Sequence, residues 1–413
     1  MYRFKHYQPK PNHPDWEKLQ IEVKEIEKKI LQNIKIKKDI GFRYRINNFY
    51  RKLSSVRTVL LNFLRNRYRY SRKNHALFPP SFVWAMINRC NFHCTYCDDH
   101  TGKAWPENSD IDTLNTKEGL KLLKLMRTGT SSVYFCGGEP TLRKDLPFFI
   151  DKAWNMGFWP VAINTNASVL HKKLLKPEWS NVLRQLDIMV ISLDALDIDL
   201  LNNLYQVKMG RTVIRNILLL RYLSDYVPIF MVVNVVISRD NILEAEAVLD
   251  WCNDLDIPYA IVPAQVKSGA DPKVMQDPNY KKLAKKVLQR QQEGYRFYAP
   301  PYLLRKILYQ EPHECFKSCC PHIFPNGTLY WPCQASVNVK PVKLKVLDYK
   351  TLPELYKEAN KRIAAYNFHG SGPNQCGGSC GWYQIYGTEV VGKVARENPI
   401  RLLQEIRNLP FKL

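Results

Sequence analysis

Between residues 82 and 265 the chain alternates two hydrophobic textures. Short runs are apolar at nearly every position: FVWAMIN (82–88), SVYFCG (132–137), PVAINTN (160–166), IMVISLD (188–194), IFMVVNVVI (229–237) and YAIVPAQ (259–265). Their length and β-branched content suit strands buried on both faces. Between them lie segments of helical period such as TKEGLKLLKLM, DLPFFIDKAWNMG and ILEAEAVLDWCNDL. Six strands separated by helices predict an α/β fold, a parallel sheet covered by helices with functional residues at the C-terminal strand ends. Six units fit a partial (β/α)6 TIM-like barrel.

The flanks read differently. Residues 15–38 set Trp16, Leu19, Val23, Ile26, Ile30 and Ile34 at helical spacing with charges between, an amphipathic helix that packs on something. Residues 47–70 set Phe49, Leu53, Val56, Leu60 and Phe63 on one stripe, with Arg51, Lys52, Arg57, Arg65, Arg67 and Arg69 largely elsewhere. Such a stripe either packs on the barrel, the first expectation, or lies at an interface. Beyond about residue 295 the alternation stops, and HECFKSCCPHIFPNGTLYWPCQ reads as a cysteine cluster followed by a hairpin turning at Asn326-Gly327. The expected domains are a basic helical extension (1–78), the barrel (79–295), and a small cysteine-rich domain with a C-terminal helix (296–413).

Charge adds a partner question. The net charge is +23 over 413 residues, most of the excess falls in the first 80, and no Asp or Glu occurs from Ile40 to Cys97. This field suits an anionic membrane surface or nucleic acid; no recognisable RNA-binding motif accompanies it, which argues against nucleic acid. With no long apolar run and no secretion signal at the N-terminus, the expected location is the cytoplasm, with peripheral attachment to the inner membrane face as a further expectation. Eleven cysteines, an odd number, point away from a disulfide framework and toward metal ligation.

The run Cys90-Asn-Phe-His-Cys94-Thr-Tyr-Cys97 begins just past the first strand. Three thiolates there can hold three irons of a cubane and leave the fourth open. Zinc, with His93 or His100 as fourth ligand, is the alternative that spacing leaves standing. Cys136 and Cys252 read as small hydrophobes. Tyr134, Tyr330 and Trp331 read as packing residues, and His322 as structural.

Over about residues 80–270 the order of motifs at successive strand ends resembles the radical S-adenosylmethionine (SAM) superfamily. CxxxCxxC matches its cluster signature, with Tyr96 in the aromatic position near the adenine. Cys136-Gly137-Gly138-Glu139-Pro140 resembles the element that binds the amino group of SAM, the glycines allowing close backbone approach and the carboxylate pairing with the ammonium. Asn164-Thr165-Asn166 and Ser192-Leu193-Asp194 resemble its polar contacts to SAM, and Asn234 is a weaker candidate. The resemblance implies that Cys90, Cys94 and Cys97 hold a 4Fe-4S cluster that cleaves SAM to a 5'-deoxyadenosyl radical, which takes hydrogen from an unactivated carbon. A low-potential electron donor, ferredoxin or flavodoxin, is then an implied partner.

Cys315, Cys319, Cys320, Cys333, Cys376 and Cys380 resemble the auxiliary-cluster module of the SPASM or twitch type. The further cysteines of a full SPASM pattern are missing, which implies one auxiliary 4Fe-4S cluster and leaves open which four cysteines hold it; the favoured set is Cys333, Cys376 and Cys380 with one or two of the leading three. A structural zinc is the alternative. For the substrate the first expectation is a membrane-lipid hydrocarbon chain, because the basic amphipathic segment could dock on headgroups. A peptide or protein is the second, and RNA the third.

Overall fold

The computed structural model describes residues 2–34, 41–74, 76–97, 113–266, 269–365, 368–377, 380 and 383–396. Two helices open the chain, α1 (Trp16–Ile34) and α2 (Phe42–Ser71). The alternating part follows as β1 (Ser81–Ala85), α3 (Thr116–Arg127), β2 (Ser132–Cys136), α4 (Leu146–Asn155), β3 (Val161–Thr165), α5 (Leu170–Lys173), α6 (Val182–Gln185) and β4 (Ile188–Ser192). It continues as α7 (Ile198–Tyr205), α8 (Gly210–Leu223), β5 (Phe230–Ile237), α9 (Ala245–Asp254) and β6 (Tyr259–Pro263). The rest holds β7 (Gln265–Val266), β8 (Gly269–Ala270), α10 (Pro272–Gln276), α11 (Pro278–Gln292), α12 (Pro301–Tyr309), β9 (His322–Ile323), β10 (Thr328–Trp331), β11 (Val342–Lys345), α13 (Leu352–Arg362) and α14 (Tyr383–Arg396).

Strands β1 to β6 pair in sequence order, all parallel, as the apolar runs predict. Successive side chains of a strand point to opposite faces. Ala162, Ile188, Val190, Val232 and Ala260 pack together on the inner face, joined by Tyr134 and Phe230. The outer faces carry the main core beneath the helices, with Trp84, Phe135 and Trp251 fully buried.

The cysteine-rich region does not stand apart from this sheet. Its β9 pairs parallel with β1, Val83 opposite His322, and β10 and β11 follow antiparallel beyond it, so one sheet of nine strands runs β11-β10-β9-β1-β2-β3-β4-β5-β6. Between β9 and β10 the turn at Asn326-Gly327 puts Gly327 at φ +74°, where L side chains are strained.

Helix α1 behaves as its pattern predicts, burying Leu19, Val23 and Ile30 and packing along α8, where Glu22 pairs with Arg211 and Arg215. Helix α2 does the reverse. The residues that face inward are polar: Arg51, Ser55, Asn62 and Asn66 are all at most 4% exposed. They donate to backbone carbonyls just before the strands, Asn66 to Phe78 (2.9 Å), Asn62 to Gly129 (2.7 Å), Ser55 through one hydroxyl shared between Gly157 (2.7 Å) and Ser131 (3.0 Å), and Arg51 to Phe158 (2.9 Å). Arg51 also pairs with Asp187 through both nitrogens (2.6 and 2.7 Å). Thus α2 lies across the N-terminal ends of β1 to β4, supplying donors to buried carbonyls there, of which Ser131 O and Gly157 O also accept from Trp159 N and Arg127 Nη2.

The expectation that the α2 stripe packs on the barrel is therefore corrected. Phe49, Leu53 and Leu60 are 63%, 53% and 50% exposed. The inward positions are taken by side chains that can reach backbone oxygen, and the apolar stripe lies on the opposite side of the helix. Arg51, grouped by sequence with the outward charges, is internal.

Candidate active site

The opposite, C-terminal ends of the strands gather the residues singled out by sequence. After β1 the chain enters the loop of Cys90, Cys94 and Cys97. The exit of β2 runs against the start of that loop: Gly138 N–H donates to Ile87 O (2.8 Å) and Glu139 N–H to Arg89 O (2.9 Å). A Cβ on Gly137, at φ +138°, would lie 2.5 Å from Ile87 O, and one on Gly138 would lie 2.3 Å from Arg89 O. Only glycine allows that approach.

Glu139 is 1% exposed and begins the Pro140–Leu142 turn. Its carboxylate accepts from Thr141 N (3.0 Å), Thr141 Oγ1 (2.5 Å), Thr165 Oγ1 (2.7 Å) and Asn166 N (2.7 Å). Burial raises its pKa against these four donors, which lower it. Three of these donors meet Oε1 and one meets Oε2, so Glu139 braces β2 to β3.

Asn166 continues the brace into the cysteine loop. Its Nδ2 donates to Asn91 Oδ1 (3.0 Å) and lies 3.9 Å from the sulfur of Cys90, while its Oδ1 accepts from Ser168 N (3.0 Å) and Oγ (2.7 Å). Asn91 Nδ2 donates in turn to Ser168 Oγ (2.9 Å). Asn91, Thr141 and Ser168 belong to this network and were not picked out by sequence. Their signal was only that each stands within two residues of a motif residue.

At the end of β4, Asp194 is fully buried, accepts from Val236 N (2.8 Å) and takes the hydroxyl of Tyr96 in a short hydrogen bond. Burial pushes its carboxyl up to about 6. The contact fixes Tyr96, one residue before Cys97, in orientation. Ser192 and Asn234 are direct partners across β4 and β5. They sit two residues beyond the inner-face pair Val190 and Val232, so a polar layer stands above an apolar one inside the barrel. Asn164 lies opposite Val190, and its side-chain oxygen is buried without a hydrogen-bond partner.

The other two thiols of the loop add to the cost of ionising Cys94. Burial pushes Cys90 up to about 11; Cys94 is pushed further, by burial first and then by Asp194, Cys97 and Cys90. Metal ligands must be deprotonated, and a cationic cluster would offset that cost. Among the described residues, no three His, Cys, Asp or Glu side chains stand together at metal-binding distance. His93 is exposed, and His100, its alternative as a zinc ligand, lies outside the described residues.

Residues 84–252, which contain this whole constellation, match the radical SAM superfamily. The chain carries a radical SAM domain. Among curated proteins it is similar to Fe-coproporphyrin III synthase of Methanosarcina barkeri, 36% identical over 101 residues, or 24% of this chain and 23% of that protein. It is also similar to GTP 3',8-cyclase of Vibrio vulnificus, 38% identical over 114 residues, or 27% and 33%. The chain thus spans about a quarter to a third of the length of these relatives. In three dimensions it resembles native anSMEcpe solved with bound AdoMet and Cp18Cys peptide, with a TM-score of 0.51 and 16% identity, covering 78% of this chain and 91% of that one. At that identity the likeness is one of fold.

Outside the radical SAM domain, four of the six later cysteines, Cys315, Cys333, Cys376 and Cys380, line one small pocket together with Lys317 and His369. His369 Nδ1 lies 3.7 Å from the sulfur of Cys376. Cys319 and Cys320 do not line it. Cys319 packs with Leu77 and Phe316, its sulfur 3.9 Å from Leu77 O, and Cys320 lies 3.5 Å from His322 Nε2. Four thiols around one space are the donor set of a 4Fe-4S cluster. SAM and a 4Fe-4S cluster are the cofactors of radical SAM enzymes, and three thiols beside a polar layer fit that pair.

Proposed function

We propose that the protein is an enzyme that cleaves SAM reductively and removes a hydrogen atom from an unactivated carbon of its substrate. The observation that carries this is the convergence of Cys90, Cys94 and Cys97 with the braced ends of β2, β3 and β4 in a matched radical SAM domain. When bound, the cluster and SAM supply a one-electron cleavage that ends in methionine and 5'-deoxyadenosine, the latter carrying the substrate's hydrogen.

In this reading the chain's own residues hold and orient. Cys90, Cys94 and Cys97 hold the cluster. Gly137 and Gly138 bring backbone to the SAM amino group, and Glu139 and Pro140 fix that backbone. Asp194 holds the Tyr96 ring in place, and Asn164, Asn166, Ser192 and Asn234 give SAM polar partners within the barrel. Cys315, Cys333, Cys376 and Cys380 hold one auxiliary 4Fe-4S cluster, while Cys319 and Cys320 serve packing. A ferredoxin or flavodoxin supplies the electron.

For the substrate, the position of α2 reverses the order expected from sequence. A bilayer on α2 would lie at the N-terminal strand ends, a barrel's depth from the cysteine loop, out of reach of a carbon still embedded in it. A peptide or protein substrate becomes the leading reading, supported by the peptide named with anSMEcpe. A lipid chain is the second, for a tail lifted out of the bilayer.

Anaerobic reconstitution should give about eight irons per chain, and changing Cys90, Cys94 and Cys97 together to Ala should leave about four. With SAM and dithionite the native protein should yield 5'-deoxyadenosine and the triple variant none. Stoichiometric zinc with little iron would overturn the proposal.

A further inference from the structure

We infer that α2 is an in-plane docking helix for an anionic lipid bilayer, which holds the protein with its cysteine-bearing barrel mouth facing away from the lipid. The helix is 30 residues long. From Phe42 to Tyr68 its exposed apolar side chains, including Phe49, Leu53, Leu60 and Leu64, recur at helical spacing. At 1.5 Å per residue the stripe is about 40 Å long.

Three observations decide what covers it. First, the stripe cannot turn inward, because the opposite face is committed: Arg51, Ser55, Asn62 and Asn66 are buried on barrel carbonyls and Asp187. Second, Arg57, Arg65, Arg67 and Arg72 are exposed on or beside the stripe, and the chain has no carboxylate from Ile40 to Cys97. An apolar face with a basic rim fits headgroups of negative charge above acyl chains. Third, the same rim disfavours a second copy, since a two-fold contact through this stripe would lay one basic, acid-free face on another.

Orientation follows from the fold. The donors of α2 reach Phe78, Gly129, Ser131, Gly157 and Phe158, all just before strands, whereas Cys90, Glu139, Asn166 and Asp194 lie just after them. A bilayer on α2 therefore leaves the mouth open to the aqueous side. This docking is independent of SAM cleavage, and its failure would leave the proposed chemistry standing.

The test uses the full chain with vesicles of phosphatidylcholine and phosphatidylglycerol in a three-to-one ratio, against phosphatidylcholine alone. Flotation at low salt should recover the protein with the anionic vesicles only, and 0.5 M salt, where the Debye length is about 4 Å, should release it. Leu53→Glu with Leu60→Glu should weaken binding roughly tenfold or more. The same double variant should leave helix content and 5'-deoxyadenosine yield unchanged. A Phe49→Trp variant should emit at shorter wavelength on anionic vesicles and be quenched by lipids brominated on their acyl chains. Absence of vesicle binding by the native protein would overturn the proposal. So would a dimer in solution that the double variant splits, or tight binding to an acidic protein at this face in preference to vesicles.

Discussion

The two ends of the barrel put polar side chains to the same physical use and reach opposite surfaces. At the C-terminal ends, Glu139 and Asp194 are buried and surrounded by donors, which locks the loops around the cysteines. At the N-terminal ends, Arg51, Ser55, Asn62 and Asn66 are buried against carbonyl acceptors, which locks α2 across the strands. In both places the polar groups are internal fasteners. The difference is what that leaves outside: a polar layer beside the cysteine loop at one end, and an apolar stripe facing solvent at the other.

The comparison breaks first at Arg51. Arg51→Ala leaves Asp187 without its main partner, and such removals cost about 3–5 kcal/mol. Denaturant unfolding should show this loss, with SAM cleavage retained below the transition. A cost under roughly 1 kcal/mol would mean that α2 is not fastened through its polar face.

At the other end, Glu139→Ala orphans donors on Thr141, Thr165 and Asn166, and an expected loss of about 2–3 kcal/mol follows from leaving buried groups unpaired. Weaker SAM binding with unchanged iron content should accompany it, because Glu139 holds the β2 exit directly and reaches the cysteine loop only through Asn166. If iron is lost in parallel with stability, the cysteine loop depends on the brace as well.

Asp194 sharpens the contrast through pH. Its carboxyl sits at about 6 in the fold against an ordinary 3.8, so between those values the native state binds more protons than the unfolded chain. Stability should therefore fall as pH rises from about 4 to about 6, at no more than about 1.4 kcal/mol per pH unit from this group. Asp194→Asn should flatten that part of the profile, and an unchanged slope would assign it elsewhere.

The smallest effect belongs to the stripe. Leu60→Ser, at an exposed position of the same helix as Arg51, should change stability by less than about 0.5 kcal/mol in the absence of vesicles. A larger loss would show that the stripe is covered within the protein itself.

Much of this was legible beforehand because it is periodic or local. Six apolar runs became six parallel strands with ends moved by a few residues, and the order of the motif residues placed them at successive strand ends. The two glycines after β2 announced a close approach, which proved to be to Ile87 O and Arg89 O. What stayed hidden was every choice among equivalent groups. Six cysteines were available to a second site, and four line its cavity, because the short turn at Lys317–Cys319 aims Cys319 at Leu77. Asp194 suggested a ligand contact from its place at a strand end, and its hold on Tyr96 emerged only from the fold.

Taken alone, the chain's sequence determined that α2 is amphipathic, that its surroundings are basic, and that three thiols stand just past the first strand. Spacing and composition carry those properties, and no distant residue alters them. Which face of α2 turns inward was decided only in three dimensions, because hydrophobicity argues for burying the stripe. Carbonyls from Phe78, Gly129 and Phe158, scattered along the chain, converge where the strands begin and take their donors from this helix. Leaving several buried carbonyls unpaired costs more than leaving an apolar stripe in water or on a membrane, so the polar face went in.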